Sequence, residues 1–416
     1  MRSRKLSRKR RRATIVTAAA ASVVAGAALL PNWTAGASTV ADPAVDPSTK
    51  ATFQRLADAV FTDRTDALVD GGKTSRNTSL SSRFSGDVRV SSTLSREEKS
   101  ALSQLRGRKS RLESLGEKYS SANTSVSLDR TRLKGRHATV NVTETTTLTY
   151  EKVKGNEPKT TDFQAHHELT FKADRKGDWQ LTGIRDTDDG VAVNQVAATT
   201  FVAAPKTAAD DAPPVATRSV TTWPAPAKPK NFSASGYDYK AMAAYAAKYW
   251  NNYNPAYPNF NGQGAGGDCT NFVSQSLKAG GWKHVPGYTD DFHKWFGNSD
   301  IQSDSFVGVN EFSWFALSSK RVTSLANVYQ LDVGDVLQMD FNKDGSKDHS
   351  MIVTYRSPQG VPYVTYHSTN TYNRSVASII ASYPNAAYYA YRTGAAPYGG
   401  GCGSECPAPA PCGSPL

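Results

Sequence analysis

Apolar residues recur at helical spacing at the start of the part of the chain that is expected to fold. Between residues 52 and 68 this spacing predicts a helix, because the apolar side chains fall on one face. A second helix is predicted to begin at the capping-box-like sequence of residues 95–98 and to run to about Tyr119. The first structured part of the chain therefore opens with two helices.

The period then changes from helical to alternating, and charged turns separate the alternating stretches. Such stretches are predicted strands at residues 124–129, 138–150, 161–173 and 179–186. Antiparallel hairpins after two helices indicate a small α+β domain over residues 50–190, with a cystatin-like or NTF2-like layout. His166 and His167 are adjacent on one of these strands, so they are expected to point to opposite faces and not to share a metal.

A second α+β domain is predicted over residues 236–393. Helices are predicted at residues 240–250, 269–279 and 311–325. Strands are predicted at residues 335–341, 349–356, 361–367 and 386–392. This order of helix, loop, helix and then several strands places the start of the second helix opposite a sheet.

Three further segments have compositions that do not favour a core. Residues 38–49 are rich in Pro and Asp and are predicted to be disordered. Residues 191–235 are rich in Ala, Pro, Thr and Lys and are predicted to form an extended, semi-rigid linker. Residues 394–416 form a tail of Gly, Pro and Cys. A chain of 416 residues with these breaks is expected to hold two domains.

The first 37 residues resemble an export signal. A strongly basic stretch of twelve residues precedes an uncharged, Ala-rich run at residues 13–30, and an A-x-A site follows at residues 35–37. This order predicts a secretory signal peptide with cleavage after Ala37. The alternative is an uncleaved membrane anchor, but Ala-rich segments insert weakly. We expect a secreted protein, free or associated with the cell wall, without membrane insertion after cleavage.

The net charge of +12 is concentrated in the signal, because residues 1–37 hold eight basic residues and no acidic ones. Residues 236–395 carry 12 basic and 12 acidic residues. A nucleic-acid-binding surface is therefore not expected. The chain has only four cysteines, which argues against a disulfide scaffold, and the three in the tail lack the fourth ligand of a zinc site.

Cys269 is the only cysteine outside the tail, and it directly follows Gly266, Gly267 and Asp268 at a predicted helix start. Backbone N–H groups at a helix N-terminus favour a thiolate, and the glycines would let a substrate approach the sulfur. Asp268 is placed to cap the helix. Cys269 is therefore a candidate nucleophile, and a buried structural thiol is the alternative.

His349 begins a predicted strand some 80 residues after Cys269 and is the candidate general base. A third group must orient its imidazole. His367, one hairpin later, is the first candidate, and Asn370 is the alternative. An oxyanion would be stabilised by the Cys269 N–H and by an upstream amide. Gln263 is the first candidate for that amide. Its rivals are Asn259 and Asn261.

Four blocks in this region resemble one family. They are YAAKYWNNYNPAY, GGDCTNFVSQSLKAGGW, GDVLQMDFNKDGSKDHSMIV and YVTYHSTNTY. Over about residues 237–392 they resemble the "putative amidase domain" family, which is similar to the NlpC/P60 and CHAP enzymes. The resemblance implies a papain-like fold and hydrolysis of peptide or amide bonds in bacterial cell walls.

The resemblance also implies roles for single residues. Cys269 would be the nucleophile, His349 the base and His367 the third polar residue, while Asp268 would help to bind a free substrate amine. No cofactor is implied. We expect a monomer that acts on peptidoglycan or a peptide. The alternatives are a secreted cysteine protease or acyltransferase acting on proteins, and a non-catalytic wall-binding module.

A calcium loop is the remaining candidate site. Its ligands would be Asp340, Asn342, Asp344 and Asp348, which follow the D-x-N-x-D-G pattern. The glutamate at position 12 is absent, Met351 stands in its place, and strands rather than helices are predicted on both sides. An Asp- and Gly-rich hairpin turn is therefore the simpler interpretation.

Overall fold

The computed structural model describes residues 45–69, 89–196, 212–233, 235–263 and 267–394. The predicted signal peptide lies outside this range, as do residues 38–44 of the segment predicted to be disordered. Residues 47–49 of that segment belong to the first helix, so the prediction of disorder is wrong there. Cys402, Cys406, Cys412 and residues 197–211 of the predicted linker also lie outside the described range. Among the described helices, none is both long and apolar enough to cross a membrane.

The first half of the described chain has two helices and then strands, as the sequence predicts. Its elements are α1 (Pro47–Asp66), β1 (Arg89–Val90), α2 (Ser92–Ser114), β2 (Tyr119–Lys134), β3 (His137–Tyr150), β4 (Thr160–Ala173) and β5 (Trp179–Asp186). The Asp46 side chain begins α1 by accepting from the Thr49 N–H at 2.9 Å. Strands β2 to β5 pair in an antiparallel meander.

The start of α2 differs from the prediction. The helix begins three residues earlier, and its cap is Ser91, whose hydroxyl accepts from the Leu94 N–H. Glu98, which the capping-box interpretation assigned to the helix start, is buried and pairs with Arg64 at 2.5 Å. The ion pair with Arg64 thus uses the Glu98 side chain, which is therefore not available for a capping box at the helix start.

The second half adds helices on both faces of a sheet. Its elements are α3 (Tyr239–Tyr249), α4 (Cys269–Ala279), α5 (Asp304–Val307), α6 (Val309–Ser318), β6 (Val322–Leu325), β7 (Val336–Asp340), β8 (His349–Arg356), β9 (Pro362–Tyr366), β10 (Asn370–Ser375), α7 (Val376–Ser382) and β11 (Ala387–Thr393). The prediction of a helix over residues 311–325 is wrong in its second half. Helix α6 ends because Lys320 takes a left-handed conformation at φ 56°, and β6 begins after it.

The two halves share one sheet, which the sequence does not reveal. Strand β10 pairs antiparallel with β4, with Asn370 opposite Gln164 and Tyr372 opposite Asp162. The strand order is β1-β5-β4-β10-β9-β8-β7-β11-β6, with β3 and β2 added through β4. The fold is therefore α+β with an open sheet that is antiparallel except at the two-residue β1.

The predicted linker is partly packed onto this body. Ser219 and Val220 form isolated bridges with Tyr388 and Asn327. Lys230 is buried, and its Nζ lies 2.7 Å from Asp335 Oδ1. Composition favoured an extended segment here, and long-range pairing fixes its described part in place.

The side chains of β7 and β8 alternate between two cores. Val336 and Ile352 pack in the core that holds residues of α3, α4 and α6. Leu337 and Met351 pack on the opposite face, in the core that holds residues of α7. This alternation decides which strand residues can face Cys269 at the start of α4.

Candidate functional site

Cys269 is the first residue of α4 and is only 1% exposed. Its sulfur lies 3.8 Å from Thr270 Oγ1 and within hydrogen-bonding reach of the Ser350 backbone N–H. Burial raises the pKa of the thiol to about 11, and the N–H of Ser350 and the Thr270 hydroxyl only partly offset this. The position of Cys269 at a helix N-terminus predicts a lowered pKa. In the structure desolvation outweighs the effect of the helix terminus, so the thiol is neutral at pH 7.

Asp268 joins three parts of the site. Its Oδ2 lies 2.6 Å from His367 Nδ1, while Oδ1 accepts from the Phe260 N–H at 3.1 Å and from Asn271 Nδ2 at 2.8 Å. Its side chain makes no cap hydrogen bond to α4, contrary to the expectation. Because the carboxylate is fully buried and both oxygens are bonded, it presents no free oxygen to a substrate amine in this state.

His367 is held by Asp268, and it does not make the contact with His349 that the sequence predicts. Its Nε2 lies 2.8 Å from the Tyr249 carbonyl oxygen, an acceptor, so this nitrogen carries a proton. Its ring is stacked against Phe272 at 4.0 Å and lies 4.1 Å from the Tyr253 ring. Both ring nitrogens of His367 therefore have hydrogen-bond partners, Asp268 and the Tyr249 carbonyl. The ring lies on the face of the sheet where α3 and α4 pack.

His349 lies on the opposite face of the sheet from Cys269. The neighbouring residue, Ser350, faces α4 and its hydroxyl bonds Thr270 at 2.9 Å. The His349 ring instead meets Tyr366 edge to face at 4.9 Å. Burial, together with the nearby charge of Arg374, lowers the pKa of His349 to about 3. The expected hydrogen bond between Cys269 and His349 is absent from the described contacts, although the catalytic role of His349 stays a prediction.

The remaining predicted site residues make other contacts. Asn370 Oδ1 accepts from the Tyr253 hydroxyl at 2.8 Å, so Asn370 does not orient His349. Gln263 is exposed, and its Nε2 donates to the Asn259 carbonyl within its own loop. The side chain of Asn261 is bonded to Asp188, so neither Gln263 nor Asn261 presents its side-chain amide to Cys269 here.

The Asp-rich run between β7 and β8 forms a turn. Carboxylates of this run accept backbone N–H groups of the same turn: Asp340 from Gly345 at 3.0 Å, Asp344 from Ser346 at 2.7 Å and Asp348 from Phe341 at 2.7 Å. Oδ1 of Asp340 is buried without a hydrogen-bond partner. Within the described residues, however, no group of three or more His, Cys, Asp or Glu side chains is placed to hold a metal ion.

Sequence reasoning missed one segment that lies against this site. Residues 187–190, which follow β5, contact the loop that contains Asn261 and the backbone around Gly267. The sequence Thr-Asp-Asp-Gly is typical of a turn, and nothing in it indicates a partner more than seventy residues away. Only the joining of β4 to β10 brings this segment to the start of α4.

A comparison with known protein families supports the resemblance predicted for the second half of the chain. Residues 236–391 match the family described as "Putative amidase domain". The chain is 33% identical over 142 residues to the uncharacterized protein YhbB of Bacillus subtilis (strain 168), covering 33% of this chain and 44% of YhbB. It is 32% identical over 151 residues to the uncharacterized protein YjcM of the same organism, covering 34% and 33%.

The chain thus spans less than half the length of either of these curated relatives. A solved structure of a conserved protein from Planctomyces limnophilus DSM 3776 aligns with 33% of this chain and 94% of its own, at 10% identity. Its TM-score of 0.17 carries no argument about the fold. The family match supports an amidase-domain family for residues 236–391.

Proposed function

We propose that this protein is an exported cysteine hydrolase of the papain-like type that cleaves amide bonds in the peptide part of peptidoglycan. One observation carries the proposal: within the segment that matches the amidase family, a cysteine begins a helix that packs against the sheet. This is the position in which backbone N–H groups can stabilise both a thiolate and the oxyanion formed by its attack.

The chemistry divides into two steps. An imidazole accepts the thiol proton of Cys269, the sulfur attacks the carbonyl carbon, and the electron pair of the C=O bond moves onto oxygen. When this pair returns, the C–N bond breaks, and the amine leaves with a proton delivered by an imidazolium. Water then attacks the thioester and gives up one proton to the imidazole. The C–S bond breaks, the acid is released, and the sulfur takes the proton back from the imidazolium. No cofactor takes part in these steps.

The geometry favours His367, held by Asp268, as the acid–base pair. Their hydrogen bond of 2.6 Å has the form of a base and its orienting carboxylate. Asp268 directly precedes Cys269, and His367 lies on the same face of the sheet as α4. In the structure the Nε2 proton is bonded to the Tyr249 carbonyl, so turnover requires that bond to be exchanged for one to sulfur.

His349 is the base that the sequence predicts, and the two candidates give different results. If His367 is the base, His367→Ala abolishes hydrolysis while His349→Phe, which keeps a ring among Phe341 and Tyr366, retains most of it. If His349 is the base, His349→Phe loses activity, because it has no nitrogen to accept the thiol proton. Circular dichroism of each variant separates loss of chemistry from loss of fold.

The test of the function is a digestion. The protein, its Cys269→Ala variant and the control Cys402→Ala are incubated under reducing conditions with purified peptidoglycan and with casein. New termini are then mapped by mass spectrometry. Stem-peptide fragments released by the wild type and the control, but not by Cys269→Ala, support the proposal. Cleavage of casein alone supports a protein-directed peptidase. Equal products from all three proteins contradict a role for Cys269.

Export is tested separately. Expressed in a secreting bacterium, the protein recovered from the medium or the wall is expected to begin at Ser38. Recovery of intact Met1 from the membrane fraction would instead support the uncleaved anchor.

A further inference from the structure

Residues 187–190, here called the strap, are bound along one side of the site. Asn261 Nδ2 donates to Asp188 Oδ1 at 2.7 Å, and the Gly262 backbone N–H donates to Asp189 Oδ2 at 2.7 Å. In addition, the Asp189 backbone N–H donates to Asn261 Oδ1 at 3.4 Å. Both strap carboxylates thus accept hydrogen bonds from a loop that ends just before α4.

The strap also presses against the backbone next to Cys269. A Cβ added to Gly190 would lie 1.3 Å from the Ser368 carbonyl oxygen and 2.3 Å from the Thr369 nitrogen. A Cβ added to Gly267 would lie 2.9 Å from the Cβ of Asp189. Because real Cβ atoms do not approach backbone atoms so closely, only glycine fits at Gly190. Ser368 in turn accepts a hydrogen bond from the Asp268 N–H at 2.7 Å, and Asp268 directly precedes α4. The strap therefore contacts a residue that is bonded to the start of this helix.

The first half of the chain supplies the other side of the contact. The His166 backbone N–H donates to Asp188 Oδ2 at 2.8 Å, and His166 Nδ1 lies 2.9 Å from Asp188 Oδ1. The Thr187 N–H bonds the His166 carbonyl at 3.0 Å. Since His166 lies on β4, the strand that pairs with β10, the sheet itself holds the strap over the loop.

A polar cleft of about 380 Å³ opens beside the strap. It is lined by Asp129, His166 and Asp188 from the first half and by Asn259, Asn261 and Gly262 from the second. The neutral amide groups of this loop are donors suited to a carboxylate, and the cleft leaves room for a chain that approaches them from the solvent. No such entry is available directly at Cys269, which is buried.

We propose that Asn261, Gly262, Gly267 and Ser368 form a substrate subsite for an acidic peptide with a glycine after its acidic residues, and that the strap occupies this subsite as an internal competitor. The inference rests on the proposed function for its biological meaning. Its physical content, displacement of the strap by a peptide of the same chemistry, does not depend on hydrolysis.

The test uses Gly190→Ala in the full chain, because the added methyl group cannot fit against Ser368 and the strap must leave. The matched control is Gly107→Ala in α2, where the nearest atom to the new Cβ is 3.6 Å away. The first readout is the rate of Cys269 alkylation by iodoacetamide at pH 7, followed by mass spectrometry of the peptide that contains Cys269. The second is binding of a fluorescein-labelled Thr-Asp-Asp-Gly peptide, with Thr-Asn-Asn-Gly as the control peptide.

Gly190→Ala is expected to alkylate faster than wild type. If release of the strap returns the thiol pKa from about 11 to its ordinary value, the gain is on the order of 100-fold. The acidic peptide should bind Gly190→Ala more tightly than wild type and should slow its alkylation again. Asp189→Asn should shift both readouts in the same direction by less, while the exposed control Asp300→Asn should not.

Wild-type alkylation and peptide binding in a folded Gly190→Ala would overturn the inference. If Gly190→Ala does not fold, Asp189→Asn decides by the same two readouts, and wild-type values there overturn it. Faster alkylation and peptide binding without hydrolysis of any substrate would support the strap while contradicting the proposed function. The two proposals therefore fail separately.

Discussion

Asp268 and His367, which are 99 residues apart in the sequence, form a buried pair with 2.6 Å between Oδ2 and Nδ1. The carboxylate also holds the Phe260 N–H and the Asn271 side chain, and the imidazole holds the Tyr249 carbonyl. One ionisable pair therefore connects α3, the loop before α4, the start of α4 and the end of β9. The position of Cys269 depends on this connection.

Asp268→Asn is expected to lower the free energy of unfolding by about 2–3 kcal/mol, because it removes the charge from a buried, hydrogen-bonded pair. The matched control is the exposed pair of Asp291 and His293, whose Oδ1 and Nδ1 atoms lie 3.1 Å apart. Asp291→Asn should cost less than about 0.5 kcal/mol. Urea denaturation measures both values. Equal small losses would show that the buried pair does not hold the site together.

We expect the docking of the strap to depend on pH through the contact of His166 with Asp188. The hydrogen bond to Asp188 raises the pKa of His166, and the negative charges of Asp188 and Asp129 raise it further. Burial and the neighbouring His167 lower this pKa, but the net shift is upward. Because the folded-state pKa is raised, this stabilisation is fully present below the ordinary value of 6.5 and is lost as the pH rises through the folded-state pKa.

The difference in unfolding free energy between the wild type and His166→Gln should therefore be largest near pH 5.5 and should shrink toward about pH 8.5. The exposed His137 gives the control variant His137→Gln, which leaves the contact of His166 with Asp188 in place. Urea titrations at several pH values measure the difference for each variant. A difference for His166→Gln that is constant with pH would contradict a charged contact with Asp188.

Lys230 tests the packing of the segment that composition predicts to be a linker. Its Nζ lies 2.7 Å from Asp335 Oδ1, inside the protein, although burial lowers the pKa of this lysine to about 8. Lys230→Ala is expected to cost about 2–3 kcal/mol, since it leaves Asp335 with Arg392 as its remaining cation. The exposed Lys228 gives the control, and Lys228→Ala should change stability by less than about 0.5 kcal/mol. Similar values for both would mean that residue 230 is free in solution.

The shared sheet predicts that the second half does not behave as an independent unit. Residues 212–394 expressed alone would expose the edge of β10 that pairs with β4. An unpaired strand edge favours association, so this fragment should elute as larger, concentration-dependent species while the full chain elutes as a monomer. Light scattering after size exclusion measures both. A monomeric fragment as stable as the full chain would contradict an essential role for the β4–β10 pairing.

Local patterns predicted the helices and strands well. The helical face of α1, the meander of β2 to β5 and the start of α4 at Cys269 follow the periodicity of the sequence. The errors arose where a long-range contact or a local conformation decided the structure: the left-handed Lys320 ended α6, and Ser91 rather than Ser95 capped α2. Strand β10 and helix α7 were missed because their short, mixed sequences have no clear period.

The candidate site was predicted as a set of residues but not as a geometry. The residue spacing placed His367 beside His349, and it could not show that Asp268 would bind His367 instead. It also could not show which face of the sheet His349 would take, because that depends on the register of β8 against β7, where His349 is opposite Met339. The strap was invisible because its contact depends on the joining of two strands from different halves of the chain.

The most direct test combines the nucleophile with the strap. Gly190→Ala and the double variant Gly190→Ala, Cys269→Ala are incubated with purified peptidoglycan, and the released peptides are quantified by mass spectrometry. We expect Gly190→Ala to release stem-peptide fragments faster than the wild type and the double variant to release none. Equal release by the two variants, or none from Gly190→Ala although its Cys269 alkylates rapidly, would contradict an amide hydrolase that acts through Cys269.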